Sequence, residues 1–305
     1  MSIRPAPLPP LARAPDRGSL PDLHALVDDG AAVLTGAGIS TASGIPDYRG
    51  ATGRLRPSTP MTHRDFVGSA TNRQRYWARA LVGWQSFGRT EPNPGHTAVA
   101  SLQATGRVGT VITQNVDGLH QQGGARDVVE LHGSLWRIRC LDCTGMHPRT
   151  WLQRELAARN PDWRDRRGDT LADGDAAIAD TAGFEVVGCP DCDGVLMPDV
   201  VFFGAGVRRD IVEACYRAVE QAPALIVLGS SLHVWSGLRF VRRAAEVGRP
   251  IAIVNHGPTR ADDLATVRLD ADLCQVLPRL AGDTTSMGTA SFRAGSPSPG
   301  QVSAP

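Results

Sequence analysis

The sequence contains no lysine, and all 32 of its Lys-or-Arg positions are arginine. No lysine side chain of this protein can therefore be modified; only its amino terminus offers an amine. The basic residues are balanced by 31 acidic ones, which leaves a net charge of +1. Because proteins that bind nucleic acid carry a basic field, we expect no direct nucleic-acid partner.

Long apolar runs are also missing. No stretch approaches the ~20 apolar residues that cross a bilayer, and the Pro-rich start lacks the apolar centre of a secretory signal. Its arginines resemble those of a transit peptide, but its prolines disfavour the amphipathic helix that such a peptide needs. We therefore expect a cytoplasmic protein without a membrane partner, in which paired cysteines indicate metal more often than disulfide.

What the chain does contain is a regular alternation of short apolar runs with helical patterns. Such alternation predicts an α/β fold built on a doubly wound parallel sheet, and fully apolar strands fit burial on both faces. The runs predicted as strands are residues 31–35, 108–112, 128–131, 224–228, 251–254 and 266–269. The helices predicted around them are residues 20–29, 71–87, 96–105, 211–221, 237–247 and 271–280.

A glycine turn follows the first predicted strand directly, as Gly36-Ala37-Gly38-Ile39-Ser40. A strand, a glycine turn and a helix start form a phosphate site, because bare N–H groups and the helix dipole attract anions. We expect a helix to open at 41–43. Glycine turns also serve plain packing, and the GxGxxG spacing of ordinary dehydrogenases is absent.

The next polar cluster follows the second sheet strand, where Gln114, Asn115, Asp117 and His120 come in quick succession. A further short apolar run, residues 128–131, then leads directly to His132. Ligands of open α/β sheets bind beyond the carboxyl ends of the strands, so an amide, a carboxylate and an imidazole are offered there. The alternative is a polar loop that only caps helices and makes turns.

Four of the six cysteines form two CxxC pairs, Cys140 with Cys143 and Cys189 with Cys192. Each pair places two thiolates on one turn, and four thiolates close the tetrahedron of a structural zinc ion. A redox dithiol and unpaired core thiols are the alternatives. The charged stretch 154–180 between the pairs predicts an inserted helix or loop, while Cys215 and Cys274 have the spacing of packing residues.

Taken together, these motifs resemble one family. GAGIS with GIPDYR, TQNVDGLH, LHG, the two CxxC pairs, PDVVFFG, GSSL and NHG occur in that order. The pattern resembles the sirtuins, the Sir2-like NAD-dependent protein deacylases, over roughly residues 20–280. QRYWAR, the tyrosine of PDYR and NHGPTR resemble the class II branch.

The resemblance implies a Rossmann-like NAD-binding domain and a smaller domain made of a zinc module and a helical module. NAD and an acyl-lysine peptide would meet between them. The expected NAD-binding domain comprises residues 19–50, 96–133 and 204–282. The expected helical module is 51–95 and the zinc module 134–203, with a disordered arm at 1–18 and a disordered tail at 283–305.

The resemblance also implies roles for individual residues: pyrophosphate at the first glycine turn, adenine ribose at Asn255, and adenine near Cys274. The residues expected to bind NAD are Gly36, Ala37, Gly38, Ser40, Ile45, Asp47, Tyr48, Arg49, Gln114, Asn115, Val116, Asp117, Gly229, Ser230, Ser231, Asn255, His256, Gly257 and Cys274. Val201 and Phe203 would line the acyl-lysine tunnel. Leu232, His233 and Val234 would pair with the peptide as an added strand.

The implied catalytic residues are His132, Asn115 and Asp117. His132 is the expected base for the ribose 2′-hydroxyl, since an imidazole titrates near neutral pH. Asp117 would accept from the nicotinamide carboxamide, and His120 would organise the loop. His132 could otherwise be a buried capping imidazole.

Two positions depart from the family pattern. Ala205 stands where an acid usually follows VVFFG, and His256 is unusual for its position. Arg54 and Arg56 follow a glycine-rich loop and suggest a preference for acidic acyl chains, unless they are merely solvated.

Other functions fit parts of the sequence. An ADP-ribosyltransferase or a lipoamidase would use the same pocket. An NAD-linked oxidoreductase would share the glycine turn, although it usually has an acid after its second strand. A zinc-ribbon interaction module would explain the cysteines alone.

Overall fold

The computed structural model describes residues 15–48, 60–163, 165–169, 171 and 173–282. The larger of its two sheets has six strands, all parallel. They are β1 (Ala31–Thr35), β2 (Val108–Thr113), β3 (Val128–Glu130), β7 (Ala224–Leu228), β8 (Ile251–Val254) and β9 (Val267–Leu269). Their order across the sheet is β3-β2-β1-β7-β8-β9, so the first strand lies in the middle, between β2 and β7.

Helices cover both faces of this sheet because alternate side chains of each strand point to opposite faces. Val33 packs on one side with α1 (Leu20–Asp28), α4 (Pro94–Ala104) and α9 (Leu273–Ala281). Leu34 packs on the other side with α7 (Arg209–Gln221) and α8 (Trp235–Glu246). The predicted doubly wound sheet is confirmed.

The second sheet is small and antiparallel, with the strand order β5-β4-β6. Its strands are β4 (Gly133–Cys140), β5 (Met146–Pro148) and β6 (Leu196–Val200). It shares a separate core with α2 (His63–Gly68), α3 (Ala70–Phe87) and α6 (Arg149–Arg159). The short helix α5 (Leu119–Gln122) lies between β2 and β3. The division of the chain into two domains, with the boundaries expected from the sequence, remains a prediction.

Several predicted element boundaries need correction. The helix expected at 96–105 begins at Pro94, because Asn93 caps it and proline suits the first turn. The helix expected to open at 41–43 consists of two 3₁₀ turns, Ala37–Ile39 and Thr41–Ser43. The charged stretch 154–180 starts inside α6, and β4, β5 and β6 were not predicted.

Residues 15–18 belong to the folded part of the chain, although we expected them in a disordered arm. Arg17 exchanges backbone hydrogen bonds with Arg268, 2.8 Å and 2.7 Å long, at the sheet edge. Residues 1–14, 49–59 and 283–305 lie outside the described residues. So do the predictions made for Arg49, Arg54 and Arg56. No helix in the described part of the chain is long and apolar enough to cross a membrane.

Candidate active site

A cavity of about 490 Å³ lies at the carboxyl ends of β1, β2, β7 and β8. It brings together nearly all the residues that the sequence singled out for ligand binding. Those that line it are Gly36, Ala37, Gly38, Ser40, Ile45, Asp47, Tyr48, Gln114, Asn115, Val116, Asp117, His132, Val201, Phe203, Gly229, Ser230, Ser231, His233, Val234, Asn255 and His256.

Gly257 and Cys274 are not among the described residues that line this cavity. Gly257 has a φ of +78° and its carbonyl oxygen accepts a 3.0 Å hydrogen bond from Asn255 Nδ2. Cys274 Sγ donates to Asn93 Oδ1 over 3.5 Å, and Asn93 Nδ2 donates to the Ile39 carbonyl oxygen. Both residues therefore lie behind the cavity wall and hydrogen-bond to residues in it or next to it.

The glycine turn after β1 contacts a second glycine turn, Gly229-Ser230-Ser231, which follows β7. Gly38 N donates to the Gly229 carbonyl oxygen over 2.8 Å, and a Cβ at Gly38 would lie 2.8 Å from Gly229 Cα. Any side chain there would separate the turns. The glycines thus serve packing, and they also leave bare backbone facing the cavity, as a phosphate site requires.

The floor of the cavity is a hydrogen-bonded group of polar side chains around Asp117. Ser40 Oγ donates to Asp117 Oδ2 over 2.7 Å, and Leu119 N donates to Oδ1 over 2.9 Å. Asn115 Nδ2 donates to Ser40 Oγ over 3.0 Å. Burial raises the pKa of Asp117 from its ordinary value, although both hydrogen bonds oppose the shift. The predicted amide and carboxylate therefore form one rigid unit.

His120 lies beneath this floor, where its Nε2 and Thr35 Oγ1 are 3.0 Å apart. Its ring packs edge-on against His96, with 5.0 Å between ring centroids. Burial lowers the pKa of His120 to about 3 and that of His96 to about 4. Two neutral buried imidazoles fit the prediction that His120 organises the loop.

His132 has both ring nitrogens in hydrogen bonds. Nδ1 is 2.8 Å from the Gln114 carbonyl oxygen, which can only accept, so Nδ1 carries the proton. In the neutral ring Nε2 then holds a lone pair, and Ser236 Oγ donates to it over 2.7 Å. Burial lowers the pKa of His132, and the charge of Arg239 lowers it further. The ring is therefore a neutral base at physiological pH.

The residues of the cavity wall that escaped the sequence analysis include Ser236, Arg239, Asp173 and Asp175. Ser236 and Arg239 are three residues apart on α8, and so share one face of that helix. This spacing was visible in the sequence, but it acquires meaning only when α8 is placed against His132. Asp173 and Asp175 belong to the insertion between the cysteine pairs and carry no motif.

The four paired cysteines form a separate cluster in the small module. Their Sγ atoms all lie within 4.8 Å of one another. Sγ distances are 3.6 Å between Cys140 and Cys192 and 3.7 Å between Cys143 and Cys189. A Zn–S bond of ~2.3 Å places the sulfurs of a tetrahedron roughly 3.8 Å apart. The four thiols therefore fit one structural zinc ion.

A parallel sheet with glycine turns and polar groups at the carboxyl ends of its central strands is typical of nucleotide-binding α/β proteins. The family model described as the Sir2 family matches residues 36–236. The chain belongs to the Sir2 family.

Relatives and solved structures agree with this membership. The chain is 49% identical to NAD-dependent protein deacetylase 1 of Mycobacterium avium (strain 104), over 80% of this chain and 88% of the relative. It is 51% identical to NAD-dependent protein deacetylase 1 of Streptomyces coelicolor (strain ATCC BAA-471 / A3(2) / M145), over 77% of this chain and 80% of the relative. A solved structure described as Sir2 with a p53 peptide and NAD+ has a TM-score of 0.70 and 28% identity, covering 87% of this chain and 98% of the other.

Proposed function

We propose that the cavity removes acyl groups from lysine side chains of proteins, with NAD as the co-substrate. The protein is an NAD-dependent protein deacylase of the Sir2 family. It transfers the acyl group to ADP-ribose and releases nicotinamide. The observation that carries the proposal is that His132 lines the same cavity as Asn115 and Asp117, with its Nδ1 held by the Gln114 carbonyl oxygen.

Each part of the cavity has a separate task in this reaction. The turns at Gly36 and Gly229 hold the phosphates, and the unit of Asp117, Ser40 and Asn115 holds the nicotinamide. Holding the acyl oxygen at the ribose can lower the activation free energy by ~7–11 kcal/mol, because the reacting atoms no longer have to meet as free molecules.

His132 acts after nicotinamide has left. Its Nε2 takes a proton from the ribose hydroxyl. Nδ1 keeps its own proton, which remains hydrogen-bonded to the Gln114 carbonyl oxygen. Because Ser236 donates to Nε2 in the described state, its hydroxyl must turn or move when the ribose hydroxyl takes that place.

The first prediction concerns the coupling of the two substrates. Nicotinamide should be released only when an acyl-lysine peptide is present, because the acyl oxygen is the nucleophile. The measurement follows NAD, nicotinamide and O-acyl-ADP-ribose by mass spectrometry, with the unacylated peptide as the control. Formation of NADH without any acyl substrate would assign the cavity to an oxidoreductase instead.

The second prediction concerns pH. The reaction needs neutral His132, so the acid limb of the kcat/KM profile should lie below pH ~6.5, the ordinary histidine value. Activity is lost as pH falls through the lowered pKa. Ser236→Ala removes a donor that favours the neutral ring, so the acid limb should move to higher pH. Ser101→Ala, at an exposed hydroxyl on α4, is the matched control. An unchanged limb in Ser236→Ala would contradict this role.

We also propose the finer features expected from the sequence. The partners are acyl-lysine proteins, with no direct nucleic-acid or membrane partner. The location is cytoplasmic, where thiols stay reduced. The class II assignment rests on the motifs quoted above.

A further inference from the structure

The insertion between the cysteine pairs returns to the cavity at residues 173–176. Ala176 N donates to the Arg79 carbonyl oxygen over 3.2 Å, and Arg79 Nε donates to the Ala176 carbonyl oxygen over 2.9 Å. A Cβ at Gly83 on α3 would collide with the Gly174 carbonyl oxygen. Close contact with α3 therefore holds this turn in place.

The turn presents a buried carboxyl group to the cavity. Asp175 is 5% exposed and lines the cavity together with Asp173. Among the described residues, no hydrogen bond or ion pair engages the Asp175 side-chain oxygens. Burial and the charge of Asp173 raise the pKa of Asp175 well above its ordinary value. The Asp175 side chain lines the cavity, and its oxygens are not among the fully buried atoms without a partner in the described part of the chain. A hydrogen-bond donor of a ligand in the cavity can therefore reach them.

Two tyrosines stand beside these carboxyl groups. Tyr48 and Tyr76 both line the cavity, and the negative charges of Asp173 and Asp175 help burial to raise both tyrosine pKa values. The Tyr76 ring lies 5.5 Å from that of Phe202, and the Tyr48 ring lies 6.3 Å from that of Phe203. We call Asp173, Asp175, Tyr48 and Tyr76 the carboxyl wall. It adjoins the predicted acyl-lysine tunnel.

Asp175 also has a structural task, because the nearby cations of Arg79, Arg149 and Arg75 interact with its charge. Of these three, Arg149 is buried. Arg149 already lies over the Trp84 ring, with 4.7 Å from Cζ to the ring centroid. Its Nη2 donates to the Ala80 carbonyl oxygen over 3.1 Å. Its guanidinium forms no ion pair with Asp175 in the described structure. The carboxyl oxygens thus remain available to a ligand even if Arg149 benefits from their charge.

We propose that the carboxyl wall is a subsite for the far end of the acyl chain and favours chains that end in a hydrogen-bond donor. A hydroxyl or an ammonium group would donate to the Asp175 oxygens, whereas a carboxylate would place a third acidic group beside Asp173 and Asp175 in a buried place, where its charge is disfavoured. This inference rests on the proposed deacylase function. The preference for donor-ended chains is the opposite of the preference for acidic chains suggested by Arg54 and Arg56, which lie outside the described residues.

The test compares kcat/KM for lysine peptides with acyl chains of matched length: 5-hydroxypentanoyl, 5-aminopentanoyl, hexanoyl and glutaryl. We expect each donor-ended chain to exceed glutaryl at least tenfold, and to exceed hexanoyl as well. In Asp175→Asn, where one potential charge is removed, the ratio of donor-ended to glutaryl turnover should fall several-fold. Asp169→Asn, at an exposed acid of the same insertion, should keep the wild-type ratio.

The wild-type ranking alone tests the inference if Asp175→Asn does not fold, and Asp173→Asn supplies a second variant at the same wall. Glutaryl as the best substrate, or equal turnover of all four chains, would overturn the subsite while leaving the deacylase function intact. Failure to turn over any acyl peptide, including acetyl-lysine, would instead reject the proposed function itself.

Discussion

His132→Ala should reduce formation of O-acyl-ADP-ribose by ~10²–10⁴-fold, the usual contribution of a general base. Nε2 is the only ring nitrogen free to take a proton, since Nδ1 is bound to the Gln114 carbonyl oxygen. Alanine removes this acceptor but leaves the glycine turns and the Asp117 unit unchanged. The variant should therefore still bind NAD and release some nicotinamide.

Asp117→Asn should fail at an earlier step. Asp117 belongs to the predicted nicotinamide pocket and is fixed there by Ser40 and Leu119. Replacing one acceptor oxygen by a donor amide should slow nicotinamide release and weaken inhibition by nicotinamide. The two variants should thus differ in which step is slow, not only in rate.

Single-turnover measurements that follow nicotinamide and O-acyl-ADP-ribose separately distinguish the two steps. His24→Ala, a partly exposed histidine of α1, provides the matched control and should behave like wild type. If His132→Ala forms O-acyl-ADP-ribose at the wild-type rate, His132 is not the base.

The large sheet was predictable because its strands are short, apolar and β-branched, and because a helix separates most of them. β1, β7 and β8 have the predicted bounds. The small sheet was not predicted, since β4 contains Arg137 and Arg139 among its apolar residues, and β4 pairs on one side with β6, which is distant in sequence. Such pairing depends on the cysteine cluster and on tertiary contacts, which local patterns do not express.

Much the same division applies to the site. Residues such as Ser40 and Asp117 were found because they lie in motifs whose residue types and spacing indicate a binding site. Ser236 was missed because a serine in the first turn of a helix usually indicates only a helix start. Asp175 was missed because an acid in a charged insertion is normally solvated, and its burial arises from tertiary packing, with the neighbouring Ala176 hydrogen-bonded to Arg79 of α3.

The cysteine cluster holds the active site through two strands. β4 begins directly after His132 and ends at Cys140, while β6 begins four residues after Cys192 and leads to Val201. The two strands pair at both ends, with Cys140 opposite Leu196 and Gly133 opposite Val200, and the register shifts between Ser134 and Ile138. A zinc ion bound at one end therefore holds together the two strands whose other ends lead to His132 and the predicted acyl tunnel.

Cys143→Ala should consequently lose the one zinc ion per chain, much of the stability and nearly all activity. A structural zinc site contributes folding free energy on the order of 10 kcal/mol in small domains. Metal analysis, thermal unfolding and deacylation are the measurements, and Cys215→Ala is the control because that buried thiol lies on α7, outside the cluster. The control should keep its zinc, although a small cavity will lower its stability somewhat. Zinc-free wild-type protein that is reduced, folded and fully active would show that the cluster is not a structural metal site.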